Sequence, residues 1–169
     1  MDFLADSYGG TGKGHRHQKI QDLKARKLPG CYLAFQQARK VHLRGKLPEG
    51  GEGEIELQVA GMVPFLVLKG LALNDRLKEK DDYDIYYVLR HSQVTDEELQ
   101  QQFRPFREQP LVRKALGYLA EHFATIDSIG PFSVARFLQA EGEEQERIQR
   151  DAFERVNHFL SLLGAVSGG

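Results

Sequence analysis

From Met62 to Leu73 the chain reads MVPFLVLKGLAL, twelve residues in which Lys69 is the sole charged side chain. A run this apolar has to be buried against other elements, and an ammonium carried into the interior needs an anion beside it, because a desolvated charge is costly unless paired. The aliphatic stem of Lys69 can pack among Phe65, Leu66 and Leu73 while its ammonium faces outward, so the run alone leaves its partner open. Immediately afterwards comes NDRLKEKDDYDIYYVLR, where cations and carboxylates crowd together before apolar residues return.

Pro64 suits the first turn of a helix, so the apolar run predicts a helix from about Met62, with Phe65, Leu68, Ala72 and Leu73 on overlapping apolar rows. If that helix continues, Arg76 and Lys80 each fall about 20° from Lys69 around the axis, and three cations share one stripe. Such a stripe repels itself unless something anionic faces it. Two candidates exist: the local carboxylates Asp81 and Asp84, or a bound phosphate. Lys80 and Asp84 are spaced i, i+4, the spacing of an ordinary helix-surface ion pair. On spacing alone, the structural ion-pair cluster is the simpler reading.

The full chain has 169 residues, 41% hydrophobic and 28% charged, which fits a globular protein rather than a disordered tail. Its apolar runs fall short of the roughly 18 residues that mark a membrane span, so no membrane partner is expected. Nothing at the start resembles a signal peptide, and the single cysteine, Cys31, excludes an internal disulfide and a cysteine-cluster zinc site. The expected location is the cytoplasm.

Charge divides along the chain: residues 1–50 carry ten Lys/Arg against four Asp/Glu, and the remainder carries thirteen against twenty. Six of the cations lie between Lys13 and Lys27, with His15 and His17 among them. That segment suits a phosphate-bearing partner such as RNA, and equally suits a solvated face. GGTGKG places Lys13 in a glycine-rich turn whose backbone N–H groups could cradle phosphate. It is not a P-loop, since Lys13 is followed by Gly14 rather than by Ser or Thr. His15 and His17 have no matching ligand pair and read as exposed rather than metal-binding.

The elements fall in two groups. DFLA, CYLAF, KVHLRG and EIELQVAG read as strand segments, the last two joined by the polar hairpin loop KLPEGGEGE. From Met62 the pattern turns helical; Asp96 to Glu98 suit another helix start, and 141–163 reads as a long amphipathic closing helix. Strands followed by helices predict an α+β chain, with a sheet-bearing part over 1–61 and a helical part over 62–169. Three or four strands and five or six helices are expected.

The stretch VPFLVLKGLALNDRLKEKDDYDIYYVLR resembles the C-terminal motifs of the AbiEii/AbiGii-type nucleotidyltransferase toxins, which carry a lysine within a helix, an arginine one to two turns later and a KDxxD helix start. The matching residues are Lys69, Arg76, Lys80, Asp81 and Asp84. DFLADSYGGTGKGHRHQKIQDLKARKLPGCYLAF is similar to the segment that leads into these motifs in one branch of the family. What the resemblance implies is a partial nucleotidyltransferase-like mixed sheet followed by a helical region that carries the motif. The implied activity is transfer of a nucleotide from a nucleoside triphosphate to RNA or another acceptor, in a type IV toxin–antitoxin or phage-defence setting. A hydroxyl attacks the α-phosphorus while Mg2+ neutralises charge. Lys69, Asp81 and Asp84 would take catalytic positions; Arg76, Lys80 and Lys13 would hold the nucleotide.

Family members also carry a Gly-Gly or Gly-Ser turn followed by a strand-borne Asp-x-Asp, with a third carboxylate from a later strand. Gly9-Gly10 is not followed by such a strand, and Asp2 matches, by position, the third carboxylate and metal ligand. With at most one of the three carboxylates, this chain alone is expected to transfer nucleotides weakly or not at all. The alternative is a non-catalytic phosphate- or nucleic-acid-binding module. A cognate antitoxin and a homodimer are the further partners expected, the latter because an incomplete sheet leaves an edge unpaired.

Overall fold

The computed structural model describes residues 4–6, 17–20, 23–76 and 78–165. The chain is α+β and divides into two compact units, Met1–Phe65 and Leu66–Gly169, strands gathering in the first and helices in the second.

The first unit holds β1 (Leu4–Ala5), β2 (His17–Ile20), β3 (Leu23–Lys27), α1 (Leu33–Gln36), β4 (Ala38–Lys46) and β5 (Glu52–Ala60). Its first sheet has the order β1-β3-β2, with β1 parallel and β2 antiparallel to β3. The basic segment thus supplies two strands that its sequence did not announce, and the described residues hold five strands rather than three or four. CYLAF also departs from expectation. Pro29 and Gly30 start a tight turn, Gly30 at φ 83, and Leu33 and Ala34 donate their N–H groups to Gly30 and Cys31 at 3.0 and 3.1 Å. Chain reversal there converts a short apolar run into one helical turn, an ambiguity that periodicity alone cannot resolve.

β4 and β5 form a separate antiparallel ribbon, in register from Ala38 opposite Ala60 to Lys46 opposite Glu52. Side chains alternate between faces. One face carries Val41, Leu43, Ile55, Leu57 and Val59; the other sets Lys40, His42, Arg44 and Lys46 on β4 against Gln58, Glu56, Glu54 and Glu52 on β5. Lys40 pairs with Glu56 at 2.8 Å and Arg44 with Glu52 at 2.5 Å, exposed pairs that fix register more than they stabilise. The turn closes at Leu47–Gly51 with Gly50 and Gly51 at φ 89 and 87, a backbone that a Cβ would strain.

The helices are α2 (Met62–Asp75), α3 (Glu79–His91), α4 (Asp96–Phe103), α5 (Pro110–His122), α6 (Ile129–Phe137) and α7 (Gly142–Leu162). α2 begins where Pro64 predicts, but buries Leu66, Val67, Leu71 and Leu73 while Phe65 and Leu68 are only half-buried. It does not run on through Lys80. Asn74 and Asp75 are weak helix formers, Lys78 is extended at φ −124 and ψ 114, and Glu79, Asp81 and Asp82 favour a fresh helix N-terminus through the macrodipole. α7 buries Ile148, Ala152, Val156 and Phe159 at helical spacing. α6 packs against α3 and α7, and α5 joins both α6 and α7. Phe103 of α4 meets Phe159 edge-on at 5.4 Å between ring centres. Among the described residues no helix is long and apolar enough to cross a membrane.

α4 is short and owes its start to a capping box. Thr95 Oγ1 accepts from the Glu98 N–H at 3.2 Å, and the Glu98 carboxylate accepts from the Thr95 N–H at 2.9 Å. Thr95→Ala should lower stability by about 1 kcal/mol in urea denaturation, with an unchanged slope. An unchanged midpoint would mean that packing of Leu99 and Phe103 alone defines this end of the helix.

Candidate functional site

Lys69 lies in the middle of α2, and Asp81 and Asp84 lie in the opening turns of α3. The Lys69 ammonium donates to Asp81 Oδ1 at 2.7 Å and to Asp84 Oδ2 at 2.6 Å. Arg76, just past α2, grips the same Asp81 with two groups, Nε to Oδ2 at 2.7 Å and Nη2 to Oδ1 at 3.1 Å. Lys80 donates to both Asp84 oxygens at 2.7 and 2.8 Å. Five of the residues singled out in the sequence therefore meet in one cluster of three cations and two carboxylates. They do so across a turn between two helices, not along a stripe on one.

Exposure grades across the cluster. The Asp81 side chain is 2% exposed, Asp84 16% and Lys69 20%, whereas Arg76 reaches 37% and Lys80 63%. Burial alone pushes the Asp81 carboxyl up, but the hydrogen bonds and charges of Arg76 and Lys69 outweigh it and hold Asp81 below the usual carboxylate range. For Lys69, burial pulls the ammonium down, and its hydrogen bonds to Asp81 and Asp84 more than reverse this, leaving its pKa raised. Both groups are thus ionised across the neutral range.

Lys69 is placed by its neighbour. A Cβ added to Gly70 would lie 2.8 Å from the Ala115 carbonyl oxygen, so α2 and α5 approach backbone to backbone one residue past the lysine. α3 is fixed from its other sides as well. Asp82, buried, faces His122 Nδ1 at 3.2 Å and accepts a hydrogen bond from Ser133, and burial raises its carboxyl pKa. Farther along, the Tyr86 hydroxyl donates to Asp151 Oδ2 at 2.7 Å, as does Arg90 at the same distance, tying α3 to α7. Sequence reasoning passed over Asp82. The signal was present in the doublet Asp81-Asp82: consecutive helical residues point about 100° apart, so both cannot serve the same cations.

Chemically, the cluster can hold an anion against its exposed cations. It offers no general base, because the Asp81 and Asp84 carboxylates are occupied by Lys69, Arg76 and Lys80. Nor does it fit a divalent ion, which would have to displace those cations; among the described residues no group of three or more His, Cys, Asp or Glu forms a metal site. Asp2 and Lys13 lie outside the described residues.

Asp81→Asn should cost roughly 3 kcal/mol, since it leaves Lys69 and Arg76 facing a neutral amide at a buried position. The lowered Asp81 pKa stabilises the fold above the carboxylate's unfolded value, and that contribution is lost as pH falls through the lower folded value. The raised Lys69 pKa contributes below the unfolded lysine value and is lost as pH rises through the folded one. The melting-temperature gap between wild type and Asp81→Asn should therefore be flat near neutrality and shrink below about pH 4. A gap that persists at pH 2 would show that ionisation of Asp81 does not stabilise the fold. Gly70→Ala should destabilise by about 1–3 kcal/mol through overpacking, although the same change in an unobstructed helix is stabilising.

No family model, curated protein or solved structure matches this chain, so the meaning of the cluster rests on its geometry and motif.

Proposed function

We propose that this chain is the nucleotide-positioning part of a nucleotidyltransferase of the AbiEii/AbiGii toxin type, working in the cytoplasm with a cognate antitoxin, and that its ion cluster receives a nucleoside triphosphate. The observation that carries this reading is the convergence of Lys69, Arg76, Lys80, Asp81 and Asp84, the residues of the motif, in one hydrogen-bonded group. Three cations against two carboxylates leave one positive charge in excess, and the two outermost cations are the ones open to water. Phosphate oxygens suit such a site, because charge-assisted hydrogen bonds from guanidinium and ammonium groups are the strong ones. Asp81 and Asp84 act as positioning residues that hold the Lys69 ammonium behind Arg76 and Lys80.

The Mg2+ that the motif implies has no ligand set among the described residues, and its one candidate ligand, Asp2, lies outside them. When bound, it would supply charge neutralisation at the transferred phosphoryl group. A second reading, a phosphate-binding module without transferase activity, is favoured by the full occupation of Asp81 and Asp84 by cations.

Calorimetric titration with a nucleoside triphosphate tests the clamp. Lys80→Met should weaken binding about tenfold, the order of one charge-assisted hydrogen bond, with little change in melting temperature because its ion pair is exposed. Lys69→Met should weaken binding and also lower the melting temperature, since it strips a cation from the buried Asp81. A destabilised Lys69→Met protein that binds triphosphate as wild type does would reject the clamp and leave a structural ion-pair cluster. Incubated with Mg2+ or Mn2+, labelled triphosphates and RNA, the 169-residue chain alone should transfer little or no label. Robust transfer that disappears in Lys69→Ala would reveal metal ligands elsewhere in the chain.

A further inference from the structure

On α3 the exposed residues are Lys80, Tyr87, Arg90 and His91, and on α6, which packs against it, the exposed set includes Phe132, Arg136 and Phe137; the α3 acid whose side chain is more than a third exposed is Glu79, and it pairs with Arg136. The rings are ordered in a row. Phe137 stacks on Tyr83 with centroids 4.4 Å apart and planes 26° from parallel, Tyr83 meets Tyr87 at 5.8 Å, and Tyr87 meets His91 at 4.5 Å. Packing of α6 on α3 explains the Phe137–Tyr83 stack. It does not explain the far end of the row, where Tyr87 is 48% exposed and His91 is exposed beside it.

Cations border the row. Lys80 stands one turn before Tyr83 on the same face of α3, and the Arg136 guanidinium lies 5.7 Å from the Phe132 ring centre. The acids nearest to these cations are already engaged: Glu79 pairs with Arg136 at 3.1 Å, and Asp84 is held by Lys69 and Lys80. Flat π faces open to solvent, together with Lys80 and Arg136, whose side chains stay 63% and 62% exposed beyond their own ion pairs, match the chemistry of unpaired nucleotides, whose bases stack on aromatic rings while their phosphates seek positive charge. A duplex would present its bases stacked and hidden. We propose that this α3–α6 face is a platform for single-stranded RNA, with bases against Tyr87 and His91 and phosphates on Lys80 and Arg136.

The platform adjoins the ion cluster through Lys80. A strand end lying on the row would sit beside the site given above to the triphosphate, which makes single-stranded RNA the acceptor class; that last step alone rests on the transferase reading. Binding itself does not.

Fluorescence anisotropy with a short labelled oligoadenylate tests the platform. The wild-type chain should bind it, and both an abasic strand of the same length and a duplex should bind about tenfold more weakly, the order of one lost base stack. Tyr87→Ala and His91→Ala should each weaken binding by about the same factor without lowering the melting temperature. Tyr87→Leu, which keeps apolar bulk and removes the π face, should weaken it likewise and guards against a packing defect in the alanine variant. Tyr87→Leu should leave the calorimetric titration with triphosphate unchanged while it weakens oligonucleotide binding, so failure of the triphosphate clamp and failure of the platform give different results. Equal affinity for the abasic strand, or unchanged affinity in Tyr87→Leu and His91→Ala, overturns the proposal. So does a wild-type chain that binds no oligonucleotide but self-associates through Tyr87, which would make the face a protein contact.

Discussion

Asp81 is an ionised carboxylate almost wholly removed from water, and the helical region is organised around satisfying it. Burying a charge is unfavourable unless its partners and geometry are complete, and removing one partner from such a site is more damaging than never having built it. Here both oxygens are engaged by cations from two separate points, Lys69 within α2 and Arg76 just after it. Among the described residues no buried side-chain nitrogen or oxygen lacks a hydrogen bond. The pair therefore specifies more than it stabilises: α2, the connection and the first turn of α3 have one arrangement in which Asp81 is satisfied. Gly70 lets α2 come close to α5 at the same level, so packing and charge impose the same placement on the lysine.

How much of this was legible depended on how local the signals were. The start of α2 at Pro64, the start of α4 at Asp96 and the span of α7 follow from caps, dipoles and periodicity, all of which act within a few residues. The membership of the cluster was also legible, because three cations at helical spacing, Lys69, Arg76 and Lys80, call for an anion and Asp81 and Asp84 were local carboxylates that could supply it. Its geometry was not. A continuous helix through Lys80 and a break at Asp75 are both consistent with the residue types, and tertiary pairing of Asp81 decides between them. CYLAF failed as a strand for a similar reason, since the reversal at Pro29-Gly30 overrides the preference of five apolar residues. Asp82 with His122, and Tyr86 with Asp151, join positions far apart in the chain and leave no periodic trace.

The β4–β5 ribbon shows sequence pattern and association physics together. Its charged face gives each strand a single sign, basic along β4 and acidic along β5. Pairing either free edge with its own copy about a two-fold axis would set like charges opposite one another, an unfavourable arrangement. Opposite charges meet only across the ribbon itself, where they support its register. The apolar face, with Leu43, Ile55 and Val59 about half exposed, bears a single cation, Arg39, opposite Val59.

The doublet at the head of α3 has one more implication. Asp81 turns toward the cations of α2 and Asp82 toward His122 and Ser133, so the helix is keyed in rotation by two adjacent residues with different environments. Adding or deleting a single residue between Arg76 and Asp81 would turn α3 by about 100° relative to its anchors. The residue paired with strong cations and the residue lodged in a nearly neutral pocket would then exchange surroundings, and the aromatic row would swing away from α6. The connection between α2 and α3 should accordingly reject any change of length, just as Arg76 within it is held to its place by Asp81.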